Sequence, residues 1–243
     1  MFDFDSHTPY RVTSFDTLHE ALVLVYKTFT GRRYIPKEGL ERLRIYEMLP
    51  NAFFICGEDK VEAVMGVAED MTGLPGDDIF HTILSEIRGK GSVCEFTNLV
   101  AGNCFAPLTE ICLDYVFYRG FDYIFITISK NHIPFFRDIL GFTVMGGPEL
   151  YSEETGDEVY ALALEVKSLE HHSNKVDDQL EDPFLKECYL SGKYRSYIEE
   201  SEKEFIKNSS EILNGMWEVS GGKFIEAEEI IRNWWLNKYK NNK

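Results

Sequence analysis

Strand-like and helix-like segments alternate over the first 166 residues of this 243-residue chain, which predicts an α/β fold: a mixed, twisted sheet flanked by helices, with a C-terminal helical extension. Three observations carry this reading. Tyr123 to Ser129, YIFITIS, is β-branched and aromatic on both faces, which suits a central strand covered on both sides. Asn51 to Cys56 and Val61 to Asp70 are apolar runs separated by Gly57, Glu58, Asp59 and Lys60, a loop of hairpin length. Segments with helical spacing fall between the strands and stop at glycines.

Tyr10 to Thr13 is a short strand candidate, and Phe15 to Thr30 follows as a helix with Leu18, Ala21, Leu22, Val25 and Phe29 on one face. A polar, basic loop, GRRYIPKEGLERLR, leads to the hairpin. The turn-rich TGLPGDD then precedes a helix from about Ile79 to Lys90, whose face is Ile79, Ile83, Leu84 and Ile87. Residues 93 to 105, VCEFTNLVAGNCF, form a strand that breaks at Gly102 and Asn103. A helix from about Pro107 to Tyr118 follows, ended by Gly120. After YIFITIS come a helix from Ile133 to Leu140, a strand from Phe142 to Met145 and a last strand from Val159 to Val166. Composition divides the chain into a domain over 1–166, a polar linker over 167–182 and a helical part over 183–243. The helical part holds candidates at Pro183 to Leu190, Tyr194 to Leu213 and Phe224 to Tyr239. An exposed stripe with Trp217, Trp234 and Trp235 would be insoluble, so these helices must pack on the domain, line a tunnel or form a homodimer contact.

Lys and Arg number 25 against 41 Asp and Glu, a net charge of -16, which repels nucleic acid and anionic lipid. The N-terminus lacks the positive charge and apolar core of a secretory signal, and no run is long enough to span a membrane, so a cytoplasmic location is expected. Cys56, Cys94, Cys104, Cys112 and Cys188 form no C-x-x-C pair and sit in apolar segments, so reduced core packing is expected and no metal site.

The element order, with FFRDILGF at 135 to 142 between a β-rich strand and a closing hairpin, resembles the GNAT acyltransferase fold. Upstream, the strand ending in Asp70, the MTGLPGDDIF connector, the helix to Lys90 and the Glu95-Phe-Thr-Asn-Leu strand follow in the order of its autoinducer-synthase-like branch. They are most similar to the long-chain N-acyl amino acid synthases. The resemblance spans about residues 10 to 166. It implies acyl transfer from an acyl-carrier-protein or acyl-CoA co-substrate to the amine of a small acceptor, an amino acid in the family, with no permanently bound cofactor. Coenzyme A users of the fold cradle pyrophosphate in a Q/R-x-x-G-x-G/A loop. Here VAGNCFAP has one glycine and no basic residue, and Pro107 removes an N–H donor, which fits phosphopantetheine on a carrier protein.

Glu95 is an acid inside an apolar run, where burial without compensation costs several kcal/mol, so it is either a solvated edge position, a structural ion pair or a chemical group. Burial raises a carboxylate's pKa toward neutrality, which suits the base that presents a neutral amine to a thioester. The resemblance assigns catalysis to Glu95 and a positioning role to Asp70, which is otherwise a turn residue. It also points to the backbone of Asn98, Leu99, Val100, Ala101 and Gly102, with Phe105, for the thioester and pantetheine. For the acceptor or a carrier surface it points to Arg33, Tyr34 and Thr97 in and beside a basic patch. The family pattern has Arg where this chain has Asn98, which removes a bidentate donor. Two other readings stay open: an acetyl-CoA-dependent N-acetyltransferase, and a catalytically silent GNAT-like domain that binds an acyl chain or a partner.

Overall fold

The computed structural model describes residues 8–31, 52–71, 73–151, 156–169 and 192–219. The elements in chain order are β1 (Tyr10–Arg11), α1 (Phe15–Gly31), β2 (Ala52–Cys56), β3 (Ala63–Glu69), α2 (Asp77–Arg88), β4 (Val93–Val100), α3 (Phe105–Arg119), β5 (Tyr123–Ser129), β6 (Thr143–Leu150), β7 (Glu158–Glu165) and α4 (Arg195–Val219). The strands form one seven-stranded sheet in the order β1-β2-β3-β4-β5-β7-β6. The β4–β5 pair is parallel and the other described pairs are antiparallel, so the mixed sheet comes from the single crossover through α3.

Each face of the sheet takes the side chains that alternation sends to it. Phe54, Met65, Cys94, Ile124 and Leu162 pack under α3, against Leu108, Ile111 and Tyr115. On the opposite face α1 covers Phe53, Ile55 and Val64, while α2 covers Ala68, Val93, Phe125 and Ala161. Helix α4 crosses the edge of the sheet between the two layers. Ile198 belongs to the α3 side; Phe205, Ile212 and Met216 belong to the α1 side. Its Tyr197 hydroxyl accepts the Arg11 N–H at 2.9 Å, so the short edge strand β1 is covered rather than exposed to further pairing. The stripe read as Ile198, Phe205, Ile212 and Leu213 is therefore packing surface for the domain over Arg195–Val219. The other two predicted C-terminal helices, with Trp234 and Trp235, lie outside the described residues.

Several boundaries differ from the sequence reading for local reasons. Helix α2 starts at Asp77 rather than Ile79, because Asp77 and Asp78 complement the positive end of the helix dipole. Helix α3 starts at Phe105, with Pro107 accommodated in its first turn, and ends at Gly120, whose φ of 73° permits the left-handed cap. The expected helix over 133–140 is helical over 133–139, but it follows a 3-10 turn, Lys130–His132, and widens to a π-helical turn at Phe135–Ile139. Strand β6 runs to Leu150 through Gly146, Gly147 and Pro148, which an edge strand tolerates. Helix α4 continues past Leu213 through Gly215, where a Cβ would sit 2.3 Å from the Phe15 ring; the missing side chain is what lets α1 and α4 meet. Among the described residues no helix is long and apolar enough to cross a membrane.

Candidate active site

Glu95 lies on β4 opposite Ala68 of β3 and Phe125 of β5, and it shares the α2-covered face with Val93. The residue is 3% exposed. Its Oε2 accepts the backbone N–H of Gly76 at 2.7 Å, and its Oε1 accepts the Thr127 hydroxyl at 3.3 Å. Gly76 immediately precedes α2, so this carboxylate is held at the positive end of a helix. A side chain at 76 would not fit: a Cβ would fall 2.5 Å from the Phe125 ring and 3.3 Å from Glu95 Oε2.

Just beyond Glu95 the sheet opens. The β4–β5 ladder ends at Phe96 and Ile126, although β4 continues to Val100 and β5 to Ser129. On the other side of β4 the register with β3 slips between Gly66↔Thr97 and Val64↔Val100, which makes a bulge. Asn98 sits in that bulge at φ 54°, a conformation asparagine adopts far more readily than arginine. The departure of this chain from the family's arginine thus coincides with a left-handed backbone position. Asn98 is buried; Thr97, Leu99, Val100 and Ala101 are half-buried. Gly102, at φ 48°, is exposed and has open space on its side-chain side. The following 3-10 turn, Gly102–Cys104, spends the Cys104 N–H on the Ala101 carbonyl at 2.8 Å. Phe105 turns into an aromatic cluster with Phe135 and Phe136, at centroid distances of 5.2 and 6.3 Å. Next to it, between α3 and the sheet, is an apolar void of about 10 Å³, the size of one water, lined by Met65, Phe96, Leu113, Phe136 and Phe142.

Asp70 takes a bidentate ion pair from Arg88, with Nε to Oδ2 at 2.5 Å and Nη2 to Oδ1 at 2.9 Å. The same guanidinium reaches both oxygens of Asp77 at 2.6 Å. Asp77 Oδ2 also accepts the Leu74 N–H at 2.7 Å. Burial alone would push the Asp77 carboxyl up, but the Arg88 and Leu74 hydrogen bonds and the Arg88 charge outweigh it and hold it below the ordinary 3.8. A depressed carboxyl stabilises the folded state above its unfolded pKa, and that contribution is lost as pH falls through the folded value. Urea midpoints measured across pH should therefore show wild type ahead of Asp77→Asn at neutral pH, with the gap closing below about 3.8. A gap that does not change with pH would remove Asp77 from this role.

Arg33 and Tyr34 lie outside the described residues, as does the rest of the basic patch. His132 is exposed, and its Nδ1 lies 3.1 Å from the Ser129 hydroxyl just past β5. Cys56, Cys94, Cys104 and Cys112 are buried and form no disulfide; burial pushes the Cys94 and Cys112 thiols well above the usual value, which keeps those two protonated. Among the described residues no His, Cys, Asp and Glu group could hold a metal ion.

The sequence reading did not pick out Gly76, Thr127 or Arg88, nor a second buried acid with the same signal as Glu95. Glu69 ends the apolar strand β3, is 3% exposed and faces α3, where it accepts the Tyr115 hydroxyl at 2.6 Å and the Arg119 guanidinium at 2.9 Å. Burial and the Glu69 charge push the Tyr115 phenol well above its usual value, so it remains a donor. Arg11 pairs with Glu202 of α4 and lies over the Phe205 ring at 4.6 Å. This cluster ties β1, β3, α3 and α4 together and is structural.

The model of the family described as N-acyl amino acid synthase FeeM matches residues 20–165. The chain belongs to that family. This N-acyl amino acid synthase FeeM family member is an N-acyltransferase with a GNAT-like fold. Among solved structures it is similar to FeeM, an N-acyl amino acid synthase from uncultured soil microbes. The TM-score is 0.58 at 22% identity, over 66% of this chain and 90% of that one. It is also similar to BjaI, a CoA-dependent acyl-homoserine lactone synthase solved with MTA, at TM-score 0.53 and 16% identity over 75% and 97%. The same enzyme with SAM and isopentyl-CoA gives 0.51 and 15% over 74% and 96%. At these identities the likeness speaks for the fold, while the family match carries the acyl transfer to an amine. A comparison with curated proteins gives no match.

Proposed function

We propose that the chain moves a long-chain acyl group from a thioester, on an acyl carrier protein or CoA, to the amine of an amino acid, with Glu95 as general base. One observation carries the reading: a buried carboxylate, oriented by the Gly76 N–H and the Thr127 hydroxyl, sits one residue short of where β4 and β5 part. The amine attacks the thioester carbon, the carbonyl electrons move to oxygen and return, and the C–S bond breaks. Glu95 takes the amine proton, directly or through a water, and passes it on to the departing sulfur, which leaves as the thiol. Backbone N–H groups of Leu99 to Gly102 are the proposed donors to the developing oxyanion. Thr97, Arg33 and Tyr34 are the proposed acceptor contacts.

Carrier-bound phosphopantetheine is the favoured donor. The turn after β4 already spends the Cys104 N–H on Ala101, and Pro107 offers none, so few amides are left for a pyrophosphate. The cytoplasm, where such donors are made, is the proposed location.

The test is to incubate the protein with acyl carrier protein bearing chains of several lengths, with the matching acyl-CoAs and acetyl-CoA, and a pool of amino acids. New N-acyl amino acids are then sought by mass spectrometry. Long-chain amides are expected, with carrier protein the better donor. Turnover of acetyl-CoA alone would make the chain an N-acetyltransferase, and no product from any donor would end the reading.

A further inference from the structure

Glu95 as base requires more than its own burial, because a carboxylate that swings by an ångström loses the amine. The loop before α2 gives the Glu95 carboxylate a backbone donor, the Gly76 N–H, and that loop is itself held by the Arg88 side chain. Asp70 ends the β3 side of the loop and Asp77 begins its helix side. Arg88, one end of α2 away, grips both carboxylates with four hydrogen bonds between 2.5 and 2.9 Å. Asp77 in turn fixes the Leu74 N–H at 2.7 Å, and the Asp77 N–H bonds the Leu74 carbonyl at 3.0 Å. Gly76 lies inside that turn, where a Cβ would fall 2.5 Å from the Phe125 ring, and its N–H is directed at Glu95.

We propose that Arg88 is a positioning residue for acyl transfer: by bridging Asp70 and Asp77 it clamps the turn over 73–77, so that the Gly76 N–H holds the Glu95 carboxylate in its reacting orientation. Arg88 touches no reacting atom in this scheme. Its planar fork matters, since lysine cannot bond two carboxylates with two parallel contacts each. Asp70 then acts through the loop, not on substrate.

This inference rests on Glu95 being the base, and a double-mutant cycle separates the two. With the donor and amine that give turnover, Arg88→Met should lower kcat about tenfold with both KM values within twofold, because binding surfaces are untouched. Arg88→Lys should recover only part of the loss. In a Glu95→Gln background, Arg88→Met should cost nothing further, since the group it positions no longer takes a proton. Asp77→Asn, which loosens one arm of the clamp and leaves the Asp70 pair, should show the same split in milder form and serves if Arg88→Met does not fold. Three results overturn the proposal: kcat unchanged in the folded Arg88 or Asp77 variants, a loss confined to KM, or an equal loss with and without Glu95. Unchanged turnover in Glu95→Gln alone defeats the base assignment instead.

Discussion

Glu95→Gln should lower kcat for amide formation by about 10²- to 10⁴-fold at neutral pH, the range a positioned general base contributes. The substitution keeps the size of the side chain and an oxygen for the Gly76 N–H, while its amide NH2 can donate to the Thr127 hydroxyl, so the site should stay assembled. What it removes is the ability to take a proton. KM for the thioester should change little, because donor binding is assigned to the backbone beyond Phe96 and not to this side chain. Steady-state kinetics on a protein with an unchanged melting temperature checks it. Turnover within a few-fold of wild type would remove Glu95 from the mechanism and leave the fold and family untouched.

The second large effect is on stability. Glu202→Ala should destabilise the protein by about 3–5 kcal/mol, because it removes the carboxylate that pairs with a buried guanidinium. The Arg11 side chain is 1% exposed and the Glu202 side chain 8%, so solvent cannot replace the lost partner. Arg119 of α3 also leans on Glu202 at 3.9 Å, while β1 is tied to α4 by the Arg11–Glu202 pair and by the Arg11 N–H to the Tyr197 hydroxyl. Replacing both members with apolar residues of similar size, Arg11→Met with Glu202→Leu, should recover most of the loss, since the cost lies in the buried charge left without that carboxylate rather than the missing pair. Urea unfolding of wild type, the single variant and the double variant decides it. A loss below about 1 kcal/mol for Glu202→Ala would mean that the cluster behaves as a surface pair.

Glu95 and Glu202 were not equally visible in the chain. Glu95 stands out because it interrupts an apolar strand next to a glycine break, and family resemblance points at the same residue. Glu69 interrupts β3 in the same way, yet it serves the α3 side and pairs with Arg119; alternation along the strand decides which face each acid meets, and the sequence does not say what covers that face. Glu202 looks like any charge on an amphipathic helix. Its partner Arg11 is distant in sequence, and they meet only because α4 closes over β1.

Local order was enough for the strands, most helices and the turn at Gly120, because periodicity and glycine conformational freedom act within a few residues, whereas the helix expected to run to Lys90 and stop at Gly91 ends at Arg88 with Gly89 as its cap. It was also enough to nominate Glu95 and the break after β4. Long-range pairing decided the rest: the point where β4 leaves β5, the left-handed bulge at Asn98, and the convergence of Gly76, Thr127 and Arg88 around one carboxylate and its supporting loop. Hydrogen bonds and charges care about distance in space, and residues 76, 95 and 127 become neighbours only once the sheet has formed.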